Sequence, residues 1–244
     1  MRFHCAEGLS IDTEVKRQAA VQNAASAIIS AMTNLKISRA LAIIVALTGV
    51  VVIFGWLMNI PVLTSVLPHW VTMKFSTALC FFFSGVTLFL ITNAVVGRQE
   101  ISRVTIPIGV GGILLLMASL LASTLLGVRI GIEDLFVEEK EGAIMTTTPG
   151  RPSVGTMIDF ILVAIAGILT MLNPEKFRPV IQKLGWIVGP IGAVALVGYV
   201  LDMPGLYYHW EGFSTAMAIH TAILFVMLGA GLVLLGAGKQ TATE

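Results

Sequence analysis

Met73-Lys74-Phe75-Ser76-Thr77-Ala78-Leu79-Cys80-Phe81, followed by Gly85, decides how this chain is read. Met217-Ala218-Ile219-His220-Thr221-Ala222-Ile223-Leu224-Phe225 has the same pattern, with Gly229 at the same offset. Between them, Pro152-Ser153-Val154-Gly155-Thr156-Met157-Ile158-Asp159-Phe160 has Ala164 where the glycine would stand. Each copy sets a Thr, then a Phe one helical turn on, then a small residue a further turn on. On a helix all three fall on or near one face. A helix face met three times predicts a packing unit used three times.

The chain around these copies has 244 residues, 56% of them hydrophobic and only 12% charged, with a mean hydropathy of +0.91. A soluble domain carries roughly 25% charged residues, so this composition predicts an integral membrane protein. The formal net charge of +1 argues against a nucleic-acid partner. The two cysteines, Cys5 and Cys80, fall on a predicted cytoplasmic tail and a predicted membrane helix and make no disulfide framework.

A bilayer crossing needs about 20 apolar residues. Six runs qualify, at about 39–58, 72–95, 105–127, 154–173, 184–202 and 214–237. Six crossings put both termini on one side. That side holds Arg2, Lys16, Arg17, Lys36, Arg39, Arg98, Arg103, Lys176, Arg178, Lys183 and Lys239; the other holds Lys74, Arg129, Lys140 and Arg151. The excess of basic residues predicts cytoplasmic termini and a bacterial inner-membrane location. The expected fold is all-α, six transmembrane helices forming three repeated helical hairpins at about 39–95, 105–173 and 184–237. Residues 1–38 are expected to form a cytoplasmic tail and amphipathic helix, residues 39–238 the membrane domain, and residues 239–244 a short tail.

Residues 1–38 have no apolar core of a secretory signal. A helix from about Asp12 to Thr33 is expected there, with Asp12 as N-cap. Val15, Ala19, Ala25, Ile28, Ile29 and Met32 form its apolar stripe. That stripe either docks on a partner or lies at the membrane surface.

The first halves of the hairpins echo one another more weakly. Gly55-Trp56-Leu57-Met58-Asn59-Ile60-Pro61 matches Gly198-Tyr199-Val200-Leu201-Asp202-Met203-Pro204 in its Gly, aromatic, polar and Pro positions, whereas the middle copy has Ser123-Thr124 there.

These segments resemble the multi-pass membrane-sensor region at the N-terminus of bacterial sensor histidine kinases and diguanylate cyclases. Met73 to Gly85 carries the likeness, and so do Gly131-Ile132-Glu133-Asp134-Leu135-Phe136 and Pro149-Gly150-Arg151-Pro152-Ser153. The likeness covers roughly residues 40 to 237. Family members usually continue into a linker, a PAS domain and a kinase or cyclase. This sequence has no phospho-acceptor His box, glycine-rich ATP lid or GGDEF-like run. The resemblance therefore implies a module that signals through a separate protein, or one recruited as a subunit of a membrane complex.

Chemistry-bearing residues are few. An ionisable group inside a span is costly and is a functional hypothesis by default. Asp159 lies on the order of 8 Å inside the outer end of the fourth span, and His220 at similar depth in the sixth. Lys74 opens the second span, and Asp202 closes the fifth. The expected ligand site is an outward-opening pocket lined by Lys74, Asp159, Asp202 and His220, with Thr77, Thr156 and Thr221 nearby, for an ion, a proton or a small polar ligand. The alternative is that Asp159 bonds locally and locks helix register. Trp56, Trp70, Tyr207, Tyr208, His209 and Trp210 form an outer aromatic cluster, either an interfacial belt or a ligand-facing surface. No nucleophile–base pair, metal-ligand spacing or phosphate loop is present, so no catalysis and no cofactor is expected. The functional expectation is a non-catalytic module: an accessory subunit of a larger membrane complex, or a stand-alone sensor signalling through a partner and possible as a homodimer. The third reading is a small transporter or an ion- or proton-binding membrane protein. Partners expected are other membrane subunits, a separate signalling protein and the lipid bilayer.

Overall fold

The computed structural model describes residues 4–67, 69–94, 102–139, 142–208 and 213–237. Its helices are α1 (His4–Leu57), the single turn α2 (Pro61–Thr64), α3 (Phe75–Ala94), α4 (Ser102–Leu125), α5 (Val154–Leu172), α6 (Pro174–Val200) and α7 (Ile219–Gly236). A 3₁₀ turn spans Pro204–Leu206. There is no strand among the described residues, and six helices are long and apolar enough to cross a membrane. Lipid offers the backbone no hydrogen-bond partners, so such apolar runs satisfy their own N–H and C=O groups as helices.

Three boundaries differ from the sequence reading; in one, α7 begins at Ile219 rather than near 214, which puts His220 in its first turn. The lead-in helix and first span are one helix, because nothing between Asn34 and Ala42 is Gly or Pro and the backbone has no reason to break. Asp12 therefore lies inside α1 and not at its N-terminus. Helix α6 begins at Pro174 rather than near 184. Only Asn173 separates it from α5, and the Asn173 side chain accepts from the Lys176 N–H at 3.0 Å. Proline at the first helical position then costs no hydrogen bond.

The helices pair as α1 with α3, α4 with α5 and α6 with α7. Helix α4 also packs on α3, α6 on α5 and α1 on α7, which closes a ring. Helices α3, α5 and α7 touch one another at its centre. The three motif phenylalanines meet there: Phe81, Phe160 and Phe225 are fully buried, with ring centroids 4.7, 4.9 and 4.9 Å apart. Tilted and edge-to-face contacts at these distances are the favoured aromatic geometries.

The first and last pairs are built on the same contacts. A Cβ on Gly85 would lie 2.5 Å from the Ala46 nitrogen and 2.6 Å from the Ala42 oxygen; one on Gly229 would lie 2.5 Å from the Gly189 nitrogen. Only glycine permits so close a backbone approach, and in lipid that packing is a main source of helix association. Trp56 Nε1 donates to the Met73 carbonyl at 2.9 Å, and the Tyr199 hydroxyl donates to the Met217 carbonyl at 2.9 Å. The Met73 N–H donates to Thr64 and the Met217 N–H to Tyr207.

All three peripheral helices end alike at the end of the bundle where the pairs are joined. Asn59, Gly127 and Asp202 are left-handed, with φ of 53°, 64° and 52°. The next residue's N–H reaches back five positions, Ile60 to Gly55, Val128 to Ser123 and Met203 to Gly198. This is the closure that satisfies the last helical carbonyls. Asp202 is thus an exposed helix-ending residue, and its polar side chain suits the left-handed backbone.

Candidate functional site

The connection between α4 and α5 folds over the same end of the bundle and ties the three helix pairs together. Thr147 Oγ1 donates to the Ser214 carbonyl at 3.1 Å, and the Ala216 N–H donates to the Met145 carbonyl at 3.0 Å, both in the connection before α7. Lys74, just before α3, donates through Nζ to Glu139 and, at 2.8 Å, to Thr146 Oγ1. The second Glu139 oxygen accepts the Gly150 N–H at 2.7 Å. Arg151 Nη2 pairs with Glu133 and donates to the Val128 carbonyl at 2.8 Å; Ser123 also donates to Glu133. All four charged residues are buried. Gly150 is left-handed, and a Cβ there would strike the Glu133 carbonyl, so the Pro149-Gly150-Arg151 stretch fits only with glycine at its centre.

Burial disfavours the charged form of both groups at risk. It lowers the Lys74 ammonium below its usual value, against the opposing charge and hydrogen bond of Glu139. It works to raise the Glu133 carboxyl, but the hydrogen bond and charge of Arg151, its own backbone N–H and Ser123 outweigh it and hold the group below the usual range. A carboxyl held low in the folded state contributes stability that is full above its unfolded value of about 4.3 and is lost as pH falls through the lower folded value. Unfolding midpoints measured down a pH series should therefore fall only below the ordinary carboxylate range. A midpoint that drops between pH 7 and 5 with no further loss in acid would contradict this assignment.

Lys74 is thus committed to an ion pair rather than facing Asp159. Asp159, on α5 beside the phenylalanine triangle, is fully buried, and neither carboxyl oxygen has a hydrogen-bond partner. Both ring nitrogens of His220 on α7 are also buried without a partner. No hydrogen bond or ion pair joins any two of Lys74, Asp159, Asp202 and His220 among the described residues. Of the three motif threonines, all buried, Thr156 bonds Ser153, whose side chain caps α5 by accepting the Thr156 N–H at 3.1 Å.

The aromatic residues form a chain of rings across the first and last helix pairs. Trp70 lies 5.4 Å from Tyr199, which stacks on Tyr207 at 4.0 Å and 13°. Burial, followed by the Asp202 carboxylate, raises the Tyr207 phenol above its usual value. Trp56 is bonded to the Met73 carbonyl, and Tyr208 is half-buried. His209 and Trp210 lie outside the described residues. Among the described residues no group of three His, Cys, Asp or Glu side chains is placed to hold a metal.

Glu133, Glu139 and Arg151 are structural residues to which the sequence analysis gave no role. A signal for them was present: Lys74 is a lone cation at the mouth of an apolar span, and a buried cation demands an anion. No protein-family profile, curated protein or solved structure matches this chain.

Proposed function

We propose that this chain is a non-catalytic accessory subunit of a larger membrane complex, attached through the N-terminal part of α1. We place it in a bacterial inner membrane with both termini cytoplasmic, on the distribution of its basic residues, and read its three helix pairs as copies of one hairpin. The phenylalanine triangle and the shared contacts of the first and last pairs support that reading.

The observation that carries the attachment role is the exposure of α1 before it joins the bundle. Among the α1 residues whose exposure is described, Ser38 is the first fully buried, its hydroxyl bonded to the Gly231 carbonyl at 3.0 Å. From His4 to Ser38 the helix runs about 50 Å, and residues 16–26 are exposed on every side. Val21, Ile28, Ile29 and Met32 stand exposed on one face, joined by Ala25. At 100° per residue, the face carrying Asn23, Ser26, Ala27, Ser30 and Asn34 lies opposite. No proline breaks α1, so this segment continues the span away from the bilayer instead of lying along it. An isolated helix with an uncovered apolar stripe is marginal in water, and a partner's helix would cover it.

Changing Ile28, Ile29 and Met32 together to Lys should release co-purifying membrane subunits while leaving the thermal stability of the bundle unchanged. Retention of those subunits at the wild-type ratio would move the contact elsewhere. A sensory role for the same module is the second reading. It rests on the resemblance to sensor regions and on Asp159 and His220, which as buried polar groups without partners are suited to bind a proton or an ion.

A further inference from the structure

We propose that Asp159 is a proton-binding site, its carboxyl held in the bundle as the undissociated acid, and that the site excludes metal cations. This deepens the second reading above, in which Asp159 takes a proton or an ion, and does not depend on the attachment role of α1. Asp159 lies in the second turn of α5, is fully buried, and neither of its carboxyl oxygens receives a hydrogen bond. The interior of a helix bundle offers few donors, because the helices spend their N–H groups on their own carbonyls. Each carbonyl oxygen keeps a second lone pair. An undissociated carboxyl can donate its O–H to one of these. A carboxylate can only accept, and burying it without a donor or a counter-charge is the costliest arrangement a side chain can take.

The helices packed on α5, which are α3, α4, α6 and α7, bring no counter-charge to it. On α3 the titratable group is Cys80, a buried thiol. On α4 it is Arg103, in the first turn, at the end remote from the connection into α5. Glu175, Lys176, Arg178 and Lys183 lie in the first half of α6, which follows the Asn173 turn, and Lys183 is exposed. Farther along α6, the Tyr199 hydroxyl is bonded to the Met217 carbonyl. On α7 the titratable group is His220, which makes no hydrogen bond to Asp159. Lys74 and Arg151 are matched by Glu139 and Glu133. A metal cation lacks both room and ligands. The chamber of about 340 Å³ beside α5 and α6 is lined by Gly155 and Ile158 but not by Asp159. No other carboxyl stands on α3, α4, α5 or α7, whereas calcium takes about six to eight oxygen ligands. Asp159 stands three residues after the motif Thr, where the other two copies have Cys80 and Leu224, both buried. The same slot therefore holds an uncharged side chain in each of them.

Infrared spectra of the purified full-length protein in mild detergent at pH 7 read the proton directly. Aspartates would be labelled with ¹³C in the carboxyl group, which separates them from glutamates. The wild type should show the carbonyl band of an undissociated carboxylic acid, shifted by the label. Asp159→Asn and Asp159→Cys, the second copying the slot of Cys80, should both lack that band. A wild-type spectrum without a labelled acid band would overturn the proposal whether or not the variants fold, and so would a band that both variants keep. Loss of the band when sodium or calcium chloride is added at constant pH would also overturn it. That result would keep the second reading but give the site to a cation. Co-purification of other subunits reads the attachment role separately from all of these.

Discussion

Replacing Arg151 with Met should destabilise the folded chain by about 3–5 kcal/mol, the usual cost of stranding one member of a buried ion pair. Glu133 would keep its place in the core, its side chain fully buried in the pair, with only the Ser123 hydroxyl and its own backbone to meet its charge. The pair itself is not a large net source of stability, because desolvating both ions offsets most of their attraction. The double change Arg151→Met with Glu133→Leu should therefore recover most of the loss. Thermal unfolding in detergent, followed by the loss of soluble protein, reads both. A double variant as unstable as the single one would mean that the pair contributes more than its own desolvation cost.

Phe160→Ala should cost about 3 kcal/mol. In a water-soluble core the range for such a change is about 3–5 kcal/mol. Part of that is transfer out of water, which falls away when the unfolded chain stays in lipid. The lost packing remains, because Phe81 and Phe225 each lose a ring partner within 5 Å. Phe81→Ala and Phe225→Ala should behave alike, and pairs of these changes should cost less than their sum, since each removes a contact the other also uses. Strict additivity would deny that the three rings act as one cluster.

These expectations show which parts of the molecule a sequence exposes. The six spans were legible because lipid allows only long apolar helices, and the Thr–Phe–small spacing picked out the side chains that meet at the axis. A signal for the continuity of α1 was present, in the lack of any Gly or Pro between Asn34 and Ala42, but the sequence reading divided it there. Asp202 was not legible: it looks like a membrane-edge carboxylate, yet it does the job that Asn59 and Gly127 do, and the sign of a φ angle is not written in polarity. Glu133 and Glu139 were hidden for a different reason. Their partners lie 18 and 65 residues away, and no local pattern distinguishes a buried carboxylate from one in a solvated acidic loop. Asp159 and His220 show the limit of depth arguments. Asp159 sits inside its span as expected, whereas His220 lies in the first turn of α7, and no bond joins them, because residues on different helices meet only if their depths and faces match.

The attachment role is tested most directly by extracting the native protein in mild detergent and measuring the mass and composition of the particle that carries it. The account predicts other membrane subunits in a fixed ratio to this chain, lost together when the α1 stripe is made basic. A particle containing only this chain, as monomer or homodimer, with wild-type stability, would contradict it.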